Sequence, residues 1–552
     1  MEQVANTTLG SSRTLRLLVR LLLPLAGFGI ALLISRSLLS SDVERLSLRL
    51  TLILSIEVTV ICLCLAPLPV YAAFRYSSSV RLQRTLLGLA MIAFLVPTIA
   101  RSLVISAFCS YYGPMADALR TLRLWPPNVP LDSSHIAVVA SLVTLYLPIT
   151  VIVMAEGVRG LGKSPDTAAT LGASPPKVVW LIVLPGLRRS ATIAALLVFS
   201  QVLGVIVTPR ILGSNDVTLA MLIDDLLKRQ LDIHGAFLVA FAELILALPV
   251  AIIAASYLQR GLRSSRSLLC PRDTAEWGAV VVAPFILIFV ALPIGLLVLA
   301  VVNSNVLTLD HIISHGLTLH WFGALGADDS LIAVIAPSVA TWAAAALTAV
   351  GGGTLLAFFS VGRPRWRSVL EWAALLSLFI PQNVLAVVYS VFLDAMGSTS
   401  RAVPAWLLGG VGQSLPTVGV AFILVSRSIQ TLESKLRIAA TLGASPLSRL
   451  WLIVMPNIGT AVAGSLIAVT LVTLDDILFV RYLPGQSLDT FATELFARAR
   501  YSASPELAAA VVTVLFAILA IAALLWLALR APRGTNTHPV LLPSLPAVDT
   551  TR

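Results

Sequence analysis

The chain has 552 residues, 58% of them hydrophobic and 12% charged, with a mean hydropathy of +0.94. That balance excludes a soluble globule and indicates a polytopic membrane protein, because apolar windows of roughly 20 residues recur along it. The net charge of +11 does not point to nucleic acid, since basic residues collect in the cytoplasmic loops of membrane proteins.

Residues 1–12 form a polar tail, and Arg13, Arg16 and Arg20 lead into an apolar run over 21–34. No A-x-A-like cleavage site follows and many spans come after it, so an uncleaved first helix is expected. Further spans are predicted at 50–74, 85–108, 136–155, 190–208, 236–257, 277–302, 331–360, 369–393, 406–426, 457–474 and 506–529. The expected fold is all-α, with about twelve transmembrane helices as two parallel six-helix repeats. The tail at 1–12, a first lobe at 13–258, a linker at 259–276, a second lobe at 277–530 and a tail at 531–552 follow from this count. With the N-terminus inside, 25 of the 38 lysines and arginines fall in segments on the N-terminal side, which predicts that both termini are cytoplasmic.

Pro97 and Pro381 interrupt the third and ninth spans in matching contexts, AFLVP and SLFIP. Each predicts a kink, serving either packing or a hinge beside a central path. The Gly351-Gly352-Gly353 run predicts a close helix contact. Cys62, Cys64, Cys109 and Cys270 lack metal-ligand spacing and are expected to pack.

The strongest internal signal is a repeat. TAATLGASPPKVVWLIVLP over 167–185 recurs as IAATLGASPLSRLWLIVMP over 438–456, displaced by 271 residues and identical at 13 of 19 positions. Six spans separate the copies, so both face the same side, and the charge count places that side in the cytoplasm. In each copy the Ala-Ala-Thr-Leu segment predicts a short helix, ended by Gly172 or Gly443 and prevented from continuing by Pro175 or Pro446. Such helices are too short to stand alone, and a matched pair suits a symmetric cytoplasmic partner.

This stretch resembles the EAA loop of binding-protein-dependent ABC importer permeases (type I), and the chain resembles two such permeases fused. The resemblance implies that each loop forms a coupling helix seated in a cytosolic ATPase, through Asp166, Ala168, Ala169, Leu171 and Gly172 in one copy and Ala439, Ala440, Leu442 and Gly443 in the other. The family's leading glutamate falls on Asp166 and on Arg437, so the second copy lacks the acid there. FSQVLGVIVTPRILGSNDVTLAMLIDDLL after the first copy is similar to one subunit of spermidine/putrescine-type permeases. TLVTLDDILFVRYLPGQSLDTFATELFARARYSASPELAA after the second is similar to the other subunit. The implied protein is the membrane subunit of an ATP-driven importer, with two copies of a separate ATPase and an extracytoplasmic solute-binding protein as partners. It would lie in the bacterial plasma (inner) membrane, with no cofactor, metal, catalytic residue or nucleic-acid partner. A polyamine is the favoured solute; 2-aminoethylphosphonate, thiamine and ferric iron are alternatives within the family. An ion-coupled secondary transporter is the rival class.

Asp475 and Asp476 are expected where the eleventh span reaches the outer face, opposite Gly204 and Val205 of the first half. They would be either a counter-charge for a cationic solute or a capping pair salt-bridged to Arg481. Asp224 and Asp225, followed by Lys228 and Arg229, suggest a solvated helix face. Arg101 either snorkels outward or lines the path, where it would suit a phosphonate. His311, His315 and His320 approach a metal-ligand spacing but lack a carboxylate and are not expected to bind metal. GVRGLGKS over 157–164 satisfies a phosphate-loop pattern and LVTLDD imitates its acidic strand. An apolar helix before it and Pro165 after it argue against nucleotide binding.

Overall fold

The computed structural model describes residues 27–75, 80–126, 129–162, 164–213, 217–262, 277–303 and 316–530. The expectations for the 1–12 and 531–552 tails, most of the 259–276 linker, Lys163, Cys270, His311 and His315 lie outside the described residues.

The described residues are helical, with no strand and one isolated bridge, Val302 to Leu317. Helices are the only open-ended elements that satisfy their own backbone in lipid. The apolar helices run in order as α1 (Gly27–Leu38), α2 (Asp42–Phe74), α3 (Arg81–Leu95), α4 (Thr98–Cys109), α5 (His135–Gly160), α6 (Pro176–Leu203), α7 (Ile233–Gln259), α8 (Gly278–Val301), α9 (Asp329–Phe359), α10 (Pro364–Phe379), α11 (Gln382–Ala395), α12 (Ala405–Gln430), α13 (Pro446–Asn457), α14 (Gly459–Asp475) and α15 (Pro505–Ala520). Seven are long and apolar enough to cross a membrane, and ten spans result if each bent pair α3/α4, α10/α11 and α13/α14 counts once. The expected twelve also needs α1, which is shorter over its described length, and α15, whose helix continues from Ala520 to Arg530.

The expected proline kinks are full breaks, of 92° between α3 and α4 and 108° between α10 and α11. Pro97 and Pro381 are extended residues that start new helices, with ψ of 151° and 139°. The third break, 77° between α13 and α14, has no partner in the first half, where α6 is continuous. Asn457 stands there opposite Gly186 of the repeat, and its amide donates to the Ile453 carbonyl at 2.8 Å, competing with the helix's own bonding.

The two halves interlock. α8, the first helix of the second lobe, packs on α2, α3 and α4 of the first, while α7 of the first packs on α10 and α11 of the second. The segments that follow α6 and α14 are not outer loops. Leu219, Ala220 and Ile223 on one side, and Phe479, Leu495 and Phe496 on the other, are buried in one core shared by both lobes. Gly353 makes the expected close contact: a Cβ there would lie 2.8 Å from Ala421 Cβ and from the Phe422 backbone nitrogen on α12. Cys62 is buried, Cys109 half-buried and Cys64 exposed, all as free thiols.

The start of α9 is fixed by charge. Asp328 caps it, accepting from the Ser330 and Leu331 backbone at 3.1 Å, and pairs with Arg498 at 2.5 Å. The Arg498 guanidinium holds the Asp328 carboxyl well below the usual carboxylate range. Because the folded pKa is depressed, the stabilisation is present above the unfolded value and lost as pH falls through the folded one. Asp328→Asn should therefore lower the melting temperature at pH 7, with the gap to wild type closing below about pH 4. A gap that does not change with pH would refute this account.

Candidate functional site: the paired loops and the seam between lobes

The repeat builds two near-identical corners. Ser164–Thr170 and Glu433–Thr441 are short helices. Each ends in the same motif: Gly172 N–H donates to Ala169 O at 3.1 Å and Ala173 N–H to Ala168 O at 3.0 Å, as Gly443 does to Ala440 and Ala444 to Ala439 at 3.1 and 3.0 Å. This is the Schellman closure, which requires a left-handed residue after the helix. Gly172 has φ of +86° and Gly443 of +82°. Ala168 and Ala439 are half-buried against the bundle, while Ala169 and Ala440 face outward. Leu171 and Leu442 stand 82% and 81% exposed at equivalent tips. A π-turn follows in both copies, Val179–Val183 and Leu450–Val454, holding exposed Trp180 and Trp451.

The two corners differ at their starts. Asp166 lies in the first turn of its helix. In the second copy the helix begins two repeat positions earlier, where Glu433 and Leu436 replace the Gly162 and Pro165 of the first. Glu433 thus supplies a first-turn acid, and Arg437 pairs with it at 2.7 Å. The acid is displaced by one turn rather than missing. Gly157–Gly160 closes α5, Gly162 turns with φ of +54°, and helix resumes at Ser164. A phosphate loop needs a strand before it, and Gly157 serves instead as a tight contact, its Cβ position falling 2.3 Å from Ser190 Oγ.

The breaks at Pro97 and Pro381 are closed in part from across the molecule. A broken helix leaves carbonyls at one cut end and N–H groups at the other. At the first break Arg101 is fully buried, donating to the carbonyls of Ala93, Val96 (2.9 Å) and Thr144 (2.9 Å). It neither snorkels nor faces open space; its guanidinium caps the cut end of α3. The new N-terminus of α4 is capped by the other lobe, since Asp475 accepts from the Thr98 backbone at 2.7 Å and from its hydroxyl at 2.5 Å. At the second break the equivalent position is Gly204, so close that a Cβ would lie 2.4 Å from Asn383 Oδ1 and 2.8 Å from Pro381 Cβ. Gln201 here provides the carbonyl cap, donating to Leu378 O at 2.8 Å. Each lobe thus seals the other's break.

Asp475 and Asp476 therefore sit beside the break in the third span, engaged by backbone and side-chain donors. The chain after them folds back into the core, which is why the helix end lies deep. Asp476 accepts from Gln413 at 3.0 Å and from the Leu478 and Phe479 backbone at 3.1 and 3.3 Å. Neither pairs with Arg481, which binds Asp224 at 2.8 Å. Asp224 is buried rather than solvated, for the same reason: its helix, Leu219–Lys228, is turned into the seam. Arg210, the repeat equivalent of Arg481, bonds to Asp225 and lies 3.6 Å from Asp224. Among the described residues no group of three or more His, Cys, Asp or Glu could hold a metal ion, and His320 is exposed.

Gln201, Gln413, Asn383 and Glu243 were not singled out from sequence. Only Glu243 carried a signal, as a lone acid within the apolar run LVAFAELILALPV. Two substitutions test the seam. Arg101→Met should orphan the Val96 and Thr144 carbonyls and cost ~3 kcal/mol or more, and Gly204→Val should clash with Asn383 on a similar scale. Melting of the purified protein in detergent reads both, and wild-type stability in either variant would contradict the crossed sealing.

Residues 66–264 match the family model described as the binding-protein-dependent transport system inner membrane component. The chain is 27% identical over 247 residues to the putrescine transport system permease protein PotI of Escherichia coli (strain K12), covering 43% of this chain and 85% of that protein. It is 28% identical over 194 residues to the spermidine/putrescine transport system permease protein PotC of Haemophilus influenzae, covering 35% of this chain and 74% of that one. No solved structure matches. The family match over residues 66–264, these two relatives and the duplicated loop agree, and together they support a binding-protein-dependent ABC importer permease of type I.

Proposed function

We propose that this permease is both halves of an importer channel in one chain, carrying a polyamine such as putrescine or spermidine from an extracytoplasmic solute-binding protein across the plasma membrane. Two copies of a cytosolic ATPase supply the energy, one seated on each repeated corner, and both termini lie on that side. The observation that carries this reading is the pair of exposed leucines, Leu171 and Leu442, presented by identical glycine-ended corners. Large apolar side chains held this far out on matched, rigid turns are what a two-fold partner requires. Asp166, Ala168, Ala169, Ala439 and Ala440 complete the two seats.

The polyamine assignment is supported by the printed substrates of the two relatives. It is also favoured over a phosphonate, because the guanidinium of Arg101 is spent on carbonyls. Pro97, Pro381, Asp475 and Asp476 would lie along the solute's path, where the lobes meet. Asp475 keeps part of its surface uncovered. An ion-coupled carrier would need neither corner, and co-purification of an ATPase with the permease separates the two classes.

The corners are the place to break coupling. Both glycines have open space where a Cβ would go, so a substitution there acts through backbone strain of ~1–2 kcal/mol each, not through a clash. Gly172→Val with Gly443→Val should leave the permease in the membrane and abolish uptake in proteoliposomes; undiminished uptake would remove the coupling assignment. For the solute, thermal-shift screening of the partner binding protein should show stabilisation by putrescine or spermidine, and stabilisation by neither would remove the polyamine.

A further inference from the structure

Glu243 lies ten residues into α7, about 15 Å from its start at the rise of a helix, and is fully buried. Its Oε2 accepts from Asn383 Nδ2 at 2.7 Å. Its Oε1 has no partner, nor has Asn383 Oδ1 on the other side of the same hydrogen bond. The hydroxyl of Tyr482 is likewise buried and without a partner. Glu243 belongs to the first lobe, Asn383 and Tyr482 to the second. Among the described residues no ion pair reaches Glu243, and the seam's Arg210 and Arg481 are engaged by Asp224 and Asp225.

A buried carboxyl with an idle oxygen is costly, and a well-packed apolar side chain would serve a purely structural seam better. The idle atoms are all oxygens able to accept, and they lie on both sides of the boundary that must part if cargo is to pass. A donor-only ligand complements them. A primary ammonium has three N–H donors and no acceptor. A hard metal ion fits less well, because it takes about six to eight oxygens, usually with several carboxylates, and one carboxylate is present here.

We propose that Glu243 and Asn383 form the contact at which a primary ammonium group of the cargo is held between the lobes. This rests on the chain being an amine importer, and it adds a site at which the amine is recognised inside the permease itself.

The test uses the full-length permease with its ATPase and binding protein in proteoliposomes, supplied with labelled putrescine. Glu243→Gln preserves shape and a hydrogen bond to Asn383 but removes the charge. It should cut uptake about tenfold or more, the scale of one charge-assisted hydrogen bond. The double variant Glu243→Gln/Asn383→Asp returns the carboxylate from the opposite lobe and should recover most of that loss. It also decides the matter if the single variant accumulates poorly. Wild-type uptake by the single variant, or a double variant that reaches the membrane and transports no better than the single one, overturns the proposal. A wild-type permease that imports no amine at all removes the reading beneath it instead.

Discussion

A helix cut in the middle of a membrane exposes unpaired carbonyls on one side and unpaired N–H groups on the other, and no water is present to take them. This protein breaks two apolar helices and closes the cut ends with side chains, Arg101 from the broken segment itself and Asp475 and Gln201 from the opposite half. Arg101 supplies charge to the carbonyl end of the first break and Asp475, from the opposite lobe, to its amide end. The second break is closed more economically, by Gln201 and by a glycine that admits the backbone of one lobe directly against the other. Neither lobe could present its broken span alone without orphaned polar groups. The two halves are therefore bound by a requirement, beyond the apolar packing of α7 and α8 across the boundary.

The same arrangement accounts for the asymmetry between otherwise duplicated halves. Charge concentrates at the first break, as a guanidinium and a carboxylate, while the second uses a neutral amide and close packing. Glu243 lies by the neutral break, bonded to Asn383 two residues after Pro381. The cationic groups of the seam are neutralised a short way along it, where the repeat-related Arg210 and Arg481 meet Asp224 and Asp225. An approximate two-fold repeat thus carries an uneven set of charges.

At the far end of the lobes symmetry is kept. The glycine-ended corners agree in hydrogen bonding, in φ and in the exposure of their leucines, and the π-turns behind them repeat as well. Only the first turns differ, and there the second copy moves its acid by a helical turn to Glu433. Matched geometry where identical partners would sit, and unmatched chemistry where one solute would pass, divide the molecule along its length.

Much of this was legible in the residues. Composition and apolar periodicity dictate a helical membrane protein, the 13 identities in 19 positions mark the duplication, and Gly172 and Gly443 declare a left-handed helix end, because these are local properties of a few consecutive residues. What the sequence could not determine was depth and partnership. Asp475 and Asp224 looked like interface or surface acids because they follow apolar runs, and Arg101 looked free to snorkel. Each is instead engaged deep in the molecule, since the segments after α6 and α14 fold back into the shared core and the lobes cross at their breaks. Those contacts join residues as far apart as Thr98 and Asp475. A charge's role in a membrane depends on which distant backbone group it meets, and only the tertiary structure decides that.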